Sequence, residues 1–161
     1  MFLKAVTEVP IDFEAVRAAM VRHPQPWLAQ VAEAAGDDYG QFLVDVGLPL
    51  AGHELTRPAM LQVGEPMSLG DRVISLPLRL RMADHAGLFP VLEGDLDAAW
   101  LGAGRTHLSM AVQYEPPFGL LGRVADGALL HRVAELVVQR FLEAVARRLK
   151  GLCAGHGVAA C

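Results

Sequence analysis

Three acidic residues alternate along one short segment and are the first candidates for chemistry. Glu93, Asp95 and Asp97 lie in the stretch EGDLD, so in an extended strand their side chains point to the same side. Carboxylates in such a row can act as general acid and base, or they can hold a cation. Aligning the neighbouring strand places Arg79 opposite Glu93, which favours the alternative that the row belongs to a solvated, salt-bridged surface.

No other motif supplies a catalytic constellation. The six histidines lack the spacing of metal ligands, and the two cysteines, Cys153 and Cys161, both fall in the Gly/Ala-rich end of the chain. The loop GAGRT leads into a strand instead of a helix, so it lacks the helix-terminus amides that bind phosphate. The sequence therefore predicts no catalytic residue, no metal site and no cofactor.

Charge and hydropathy narrow the class of partner. The chain has 14 Lys and Arg against 18 Asp and Glu, with no basic cluster, which argues against a nucleic acid partner. Hydrophobic residues make up 53% of the chain, yet no run approaches the ~20 apolar residues of a transmembrane segment. The first residues, MFLKAVTEV, lack the pattern of a signal peptide, so we expect a cytoplasmic protein. Its 161 residues predict one domain over 1–150, followed by a disordered tail over 151–161.

A few polar residues are expected to point into the protein. Tyr114 and Thr106 share the parity of an apolar strand face, and Arg57 does so if its segment keeps the phase of Leu55 and Leu61. A buried arginine needs an internal carboxylate or an anionic ligand head group. The alternative is that Arg57 extends its guanidinium to solvent at the rim.

The elements that must position these residues begin with a strand and two short helices. Residues 2–9 alternate as a strand, and Asp12 is placed to cap a helix whose apolar positions are Phe13, Val16 and Met20. A second short helix is predicted from Trp27 to Ala35. Gly36, which readily takes the left-handed exit conformation, is expected to end it.

From Tyr39 to Glu115 the apolar period changes to two, which predicts a meander of five more strands. Their sequences are QFLVDVGLPL, ELTRPAMLQVG (split or bulged at Pro58), DRVISLPLRLRM, PVLEGDLDAAWL and RTHLSMAVQYE. Parity, together with a tight hairpin loop at Gly102–Gly104 and the DHAGLF loop before it, then predicts the register. The expected cross-strand pairs are Leu76 with Leu96, Leu80 with Leu92, Leu92 with Tyr114, Gly94 with Val112, Leu96 with Met110, Ala98 with Leu108 and Trp100 with Thr106.

One long helix remains to cover the apolar face of this sheet. From about Asp126 to Leu152 an apolar stripe runs through Val137 and Phe141, directly after the Pro116–Pro117 corner. An antiparallel sheet with one apolar face needs such a cover. We therefore predict an α+β fold with an antiparallel, curved, six- to seven-stranded sheet wrapped around a long C-terminal helix, and two short helices after the first strand.

This order of elements, and above all the ending GRTHLSMAVQYEPPFGLLGRV...LLHRVAELVVQRFLEAVARRL, resembles the helix-grip fold of the START/Bet v 1-like (SRPBCC) superfamily. The resemblance is to the bacterial polyketide cyclase and coenzyme Q-binding type. LPLAGH, which holds a single glycine, departs from the Gly-rich loop of the plant allergen branch. The resemblance implies a cavity between sheet and helix that takes an apolar ligand. The alternative is that the same side chains interdigitate as a filled core.

Three functions fit this sequence. The first is binding or transport of a hydrophobic small molecule, without turnover, in that cavity. Its expected lining is Arg57, Leu96, Trp100, Leu108, Met110, Val112, Tyr114, Val137 and Phe141. The second is an aromatase/cyclase-type enzyme that uses the same cavity, with Tyr114 and Arg57 orienting a polyketide. The third is an interaction module built on Leu120, Leu121 and Val124, and a homodimer is also open.

Overall fold

The computed structural model describes residues 2–45, 59–82, 91–115 and 127–154. They form three helices and six strands. In chain order these are β1 (Phe2–Val9), α1 (Phe13–Val21), α2 (Pro24–Asp45), β2 (Ala59–Val63), β3 (Met67–Ser68), β4 (Val73–Met82), β5 (Val91–Gly102), β6 (Arg105–Glu115) and α3 (Gly127–Ala154).

The strands form one antiparallel sheet in the order β1-β6-β5-β4-β2, with β3 also paired to β4. Every predicted pair in the meander is present, among them Leu80 with Leu92, Leu92 with Tyr114 and Trp100 with Thr106. The register is strongly determined because a slip by one residue would turn the whole apolar set toward solvent. The α+β prediction, with two helices after the first strand and a C-terminal helix against the sheet, is confirmed.

Helix α3 packs its apolar stripe against the sheet and the other helices. Its buried positions recur at helical spacing and are Ala134, Val138, Phe141, Leu142, Val145, Ala146 and Leu149. They lie over β1 and β6 and against α1 and α2, while α2 lies over β2. The helix extends to Ala154, so the first residues of the predicted tail are helical, and residues 155–161 lie outside the described part.

Helix α2 is longer than the sequence predicts. It continues through Gly36 to Asp45, so the first part of the predicted strand QFLVDVGLPL is helical. Glycine permits a left-handed exit but does not require one, and in a helix it costs only ~1 kcal/mol relative to alanine. The apolar spacing of Leu28, Val31 and Ala35 is continued by Tyr39 and Leu43, so the helical period runs on past the glycine.

The N-terminus of α1 also differs in detail from its prediction. Asp12 is at the N-cap position, but its side chain makes no capping hydrogen bond. Its backbone carbonyl instead accepts from the amides of Ala15 and Val16, at 3.1 and 3.2 Å. The helix is held mainly by burial of Phe13, Val16 and Met20, as its spacing predicts.

Strand β2 is described from Ala59, and the predicted split or bulge at Pro58 lies outside the described residues. It lies at one edge of the sheet, and a side chain covers its backbone. The Gln25 amide donates from Nε2 to the Leu61 carbonyl at 2.6 Å, and its Oε1 accepts from the Val63 amide at 3.1 Å. This carboxamide replaces a neighbouring strand, which protects the edge from pairing with another chain.

No helix within the described ranges is long and apolar enough to cross a membrane.

Candidate functional site

The predicted ligand-binding residues separate into four groups. Leu96, Leu108, Met110, Val112 and Tyr114 are buried on the face of the sheet that carries the core, here called the inner face. Phe141 is buried on α3, and Val137, one helical turn before it, is partly buried. Trp100 is exposed. Arg57 lies outside the described residues, two positions before β2.

Trp100 departs from the prediction that it packs inward. Its side chain is 44% exposed, and the Arg72 guanidinium lies 4.6 Å from the centre of its ring. The parity of the strand is intact and the cross-strand partner Thr106 is buried. Trp100 itself lies at the end of β5, where the β5–β6 register shifts between Trp100 and Gly102. A large aromatic side chain at this position stacks with a cation instead of packing against a helix.

The end of the inner face at Thr106 is closed, and we call it the Thr106 end. The Thr106 side chain is buried, as its parity predicts, and its hydroxyl donates to the Ile11 carbonyl at 2.8 Å. In the next row Ile74, Ala98 and Leu108 have no exposed surface. Leu96 is also fully enclosed. Leu96 and Leu108 are therefore filled core, as the alternative interpretation expected, and not the wall of an open cavity.

Gly94 leaves no dent in the inner face, although it has no side chain. A Cβ atom there would lie 2.0 Å from the Ala111 carbonyl oxygen and 2.6 Å from the Val112 Cα. The backbone of β6 therefore occupies this space. Glycine is needed at this point because the two strands approach each other so closely.

The opposite end of the inner face is less tightly closed, and we call it the Tyr114 end. Leu61, Leu80, Leu92 and Tyr114 lie side by side there across β2, β4, β5 and β6. Leu80 is partly buried, and Leu61 and Leu92 each keep 6% of their surface exposed. Leu78 in the adjoining row and Met110 in the Leu96 row each keep 5%. The sequence marked Leu80 and Leu92 only as core, although their parity with Tyr114 already placed them in one row.

Strands β2, β4, β5 and β6 begin or end at this same end, at Ala59, Met82, Val91 and Glu115. Segments 46–58, 83–90 and 116–126 lie outside the described residues. The predicted interaction patch of Leu120, Leu121 and Val124 falls within 116–126, outside the described residues.

Tyr114 is the one polar side chain among the predicted lining residues that are described. Burial raises the pKa of its phenol above the ordinary value of 10.0, because the charged form would lose its hydration. The side chain is 2% exposed and lies beside Leu92. The group therefore remains a neutral phenol in the folded protein.

This raised pKa predicts a loss of stability in alkali. The folded state holds the phenol proton more tightly than the unfolded state. The stability contributed by the neutral Tyr114 phenol is therefore present in full below pH 10.0 and is lost as pH rises through the raised pKa. In Tyr39→Phe, where Tyr114 is the remaining tyrosine, phenolate absorbance should appear only above pH 10.0, and Tyr114→Phe should lose that step. Ionisation of Tyr114 at or below pH 10.0 in Tyr39→Phe would contradict the assignment.

The acidic row lies on the outer face of the sheet, away from the core. Arg79 forms the predicted ion pair with Glu93, and both side chains are about half exposed. Asp97 pairs in the ladder with Ser75 and Ser109 and is only partly exposed. Its Oδ1 is enclosed and makes no hydrogen bond within the described ranges.

A separate pocket of about 300 Å³ lies between α1, the start of α2 and the end of α3. Trp27 forms part of its wall, and the indole Nε1 donates to the Ala19 carbonyl at 3.3 Å. The other lining residues are Ala15, Ala18, Arg22, Leu152 and Cys153. None of the predicted ligand-binding residues takes part, so we name it the α1–α3 pocket and treat it apart from the Tyr114 end.

Comparison with known proteins adds little to this site. No family model matches the chain, and no curated protein matches it. It is similar to the solved structure of hypothetical protein jhp0584 from Helicobacter pylori, with a TM-score of 0.41 and 14% identity, covering 96% of this chain and 87% of that one. It is also similar to TTHA0849 from Thermus thermophilus, with a TM-score of 0.37 and 15% identity, covering 94% of this chain and 98% of that one. What the chain does must be inferred from its own residues.

Proposed function

We propose that the chain binds or transports a hydrophobic small molecule, such as a lipid, isoprenoid or polyketide, at the Tyr114 end of the sheet. The observation that carries this proposal is the gradient along the inner face. Thr106, Leu108 and Leu96 have no exposed surface, although Trp100 in the Thr106 row is exposed. Leu61, Leu78, Leu92 and Met110 instead keep 5–6% of theirs. Partly buried Val63, Leu80 and Val137 extend this region.

The position of α3 supports the same place. The C-terminal end of the helix meets α1 and α2, because Leu152 and Cys153 share a pocket with α1 and Arg148 donates to Gln30 at 3.3 Å. Its N-terminal half, which includes Val137, therefore points toward the Tyr114 end. Ala134 and Phe141, one turn to either side of Val137, are buried, so the partly buried Val137 lies at the edge of the buried stripe of the helix.

The chemistry of the lining fits an apolar ligand with one polar group. Leucine, valine and methionine side chains favour burial of hydrocarbon, and methionine adapts to ligand shape. A neutral Tyr114 phenol suits hydrogen bonding at one point of the ligand. The proposal includes two expectations from the sequence. Arg57 binds an anionic head group of the ligand, and the chain is a member of the START/Bet v 1-like superfamily. The aromatase/cyclase alternative would use the same place, with Tyr114 polarising a substrate carbonyl.

A gently purified sample tests the proposal directly. Native mass spectrometry of the full chain should show an adduct above the 17.3 kDa mass, which is lost after extraction with organic solvent and recovered in the extract. The expected adduct is apolar because the lining offers little polar bonding. Repeated recovery of the bare chain under gentle conditions would count against a carrier.

A further inference from the structure

The two edge strands of the sheet, β2 and β1, differ in whether a described residue hydrogen-bonds to their outer backbone groups. At β2 the Gln25 carboxamide occupies backbone groups of the edge strand. At the other edge β1 pairs with β6 along all of Phe2–Val9, and no described residue forms a hydrogen bond to its remaining edge. A long edge strand of this kind is a template for pairing with another chain.

The sequence of β1 is complementary to itself in one register. Its outer face carries Phe2, Lys4, Val6 and Glu8, all exposed, and the Val6 side chain is 48% exposed. Two copies that pair antiparallel about a twofold axis place one residue on that axis. With Val6 on the axis, Lys4 of each copy faces Glu8 of the other, and Val6 faces Val6.

Other registers are less favourable. With Lys4 or Glu8 on the axis, like charges face each other, which destabilises a cross-strand pair. An axis between two residues would place the inner face of one copy beside the outer face of the other and expose its apolar side chains. With Ala5 or Thr7 on the axis the faces match, but no pair of opposite charges forms. The Val6 register is therefore favoured because it joins Lys4 to Glu8 twice.

We propose that β1 of this chain pairs antiparallel with β1 of a second copy, with Val6 at the twofold axis, so that the two sheets become continuous. The partner is the same chain because both charges that the pairing requires lie on the one strand. Arg105 holds Glu8 at 2.6 Å on the same exposed surface, which orders the carboxylate before a second copy arrives. The proposal is independent of the ligand-binding proposal.

Charge reversal with cross-rescue tests this pairing. Wild-type full-length chain, followed by sedimentation equilibrium over a concentration series, should form dimers. Lys4→Glu alone and Glu8→Lys alone should each weaken dimerisation at least about tenfold, because each reversal creates two like-charge pairs. An equimolar mixture of the two variants should restore the dimer, because both cross-strand pairs of the mixed dimer then join a glutamate to a lysine.

The control is Lys150→Glu, which reverses an exposed charge on α3 and should leave dimerisation unchanged. Thermal unfolding of each single variant verifies that it is folded. Folding is expected because the side chains of Lys4 and Glu8 are exposed. A wild-type chain that stays monomeric at the highest concentration would overturn the proposal. So would a mixture of Lys4→Glu and Glu8→Lys that dimerises no better than either variant alone.

Discussion

Gly94→Ala is expected to lower the free energy of unfolding by about 3 kcal/mol or more, the largest effect on stability that we predict from a single methyl group. The added Cβ would lie 2.0 Å from the Ala111 carbonyl oxygen and 2.6 Å from the Val112 Cα. Both are backbone atoms of β6, so no side-chain rotation relieves the overlap. The strands must separate, which weakens the pairing of Gly94 with Val112 and of the rows beside it.

The measurement is urea unfolding of wild type and variant, and the midpoint should fall without a change in native secondary structure. Gly151→Ala is the matched control. A Cβ at Gly151, within α3, would meet no atom within 4 Å, and alanine is the better helix former, so stability should rise by up to about 1 kcal/mol. Equal unfolding midpoints for Gly94→Ala and wild type would contradict the close approach of β5 and β6.

The register of the meander could be predicted from sequence because one face is apolar throughout. Leu92, Leu96 and Ala98 share parity with Tyr114, Met110 and Leu108, so a slip by one residue would put the two sets on opposite sides. The short β5–β6 turn excludes a slip by two. Parity could not show that Trp100 is exposed, since that depends on how far the covering helices extend. Nor does it distinguish a dent at Gly94 from a close approach of two backbones.

The length of α2 was harder to predict for a different reason. The segment QFLVD is short and apolar, and such a run is compatible with a strand as well as with a buried helix. Gly36 and Gly40 reduce helix propensity, but packing of α2 against β2 and α3 overrides it. Predicting the helix would have required knowing that the sheet needs a second cover beside α3.

The sequence predicts a candidate site that extends over the whole inner face of the sheet. The proposed site is only the Tyr114 end of that face. Sequence periodicity identifies which residues point inward, but it does not say which rows the helices close. Burial of Leu96 and Leu108 is decided by α1 and α3 packing near the Thr106 end, whereas Leu61 and Leu80 enter the site through pairing with Leu92 and Tyr114. These pairings join residues far apart in the chain.

Val137→Trp is expected to abolish or greatly weaken binding of an apolar ligand. The residue is partly buried on the N-terminal half of α3, so an indole there should fill space at the Tyr114 end without displacing the enclosed core. Overpacking of this kind costs about 1–3 kcal/mol when a ligand must share the space, which corresponds to about a tenfold to hundredfold loss of affinity.

Two control variants separate this site from other surfaces. Leu136→Trp adds the same indole to the neighbouring residue, whose side chain is 39% exposed, and should bind as wild type does. Ala18→Trp fills the α1–α3 pocket and should also leave binding unchanged. Loss of binding in Ala18→Trp alone would place the ligand in the α1–α3 pocket instead.

The most direct test is a fluorescence titration of anilinonaphthalene sulfonate, an apolar dye that brightens out of water, with wild type and these three folded variants. We predict saturable binding to wild type, Leu136→Trp and Ala18→Trp, and binding to Val137→Trp that is weaker by about tenfold or more. No saturable binding to wild type, or unchanged binding to Val137→Trp, would contradict a ligand site at the Tyr114 end.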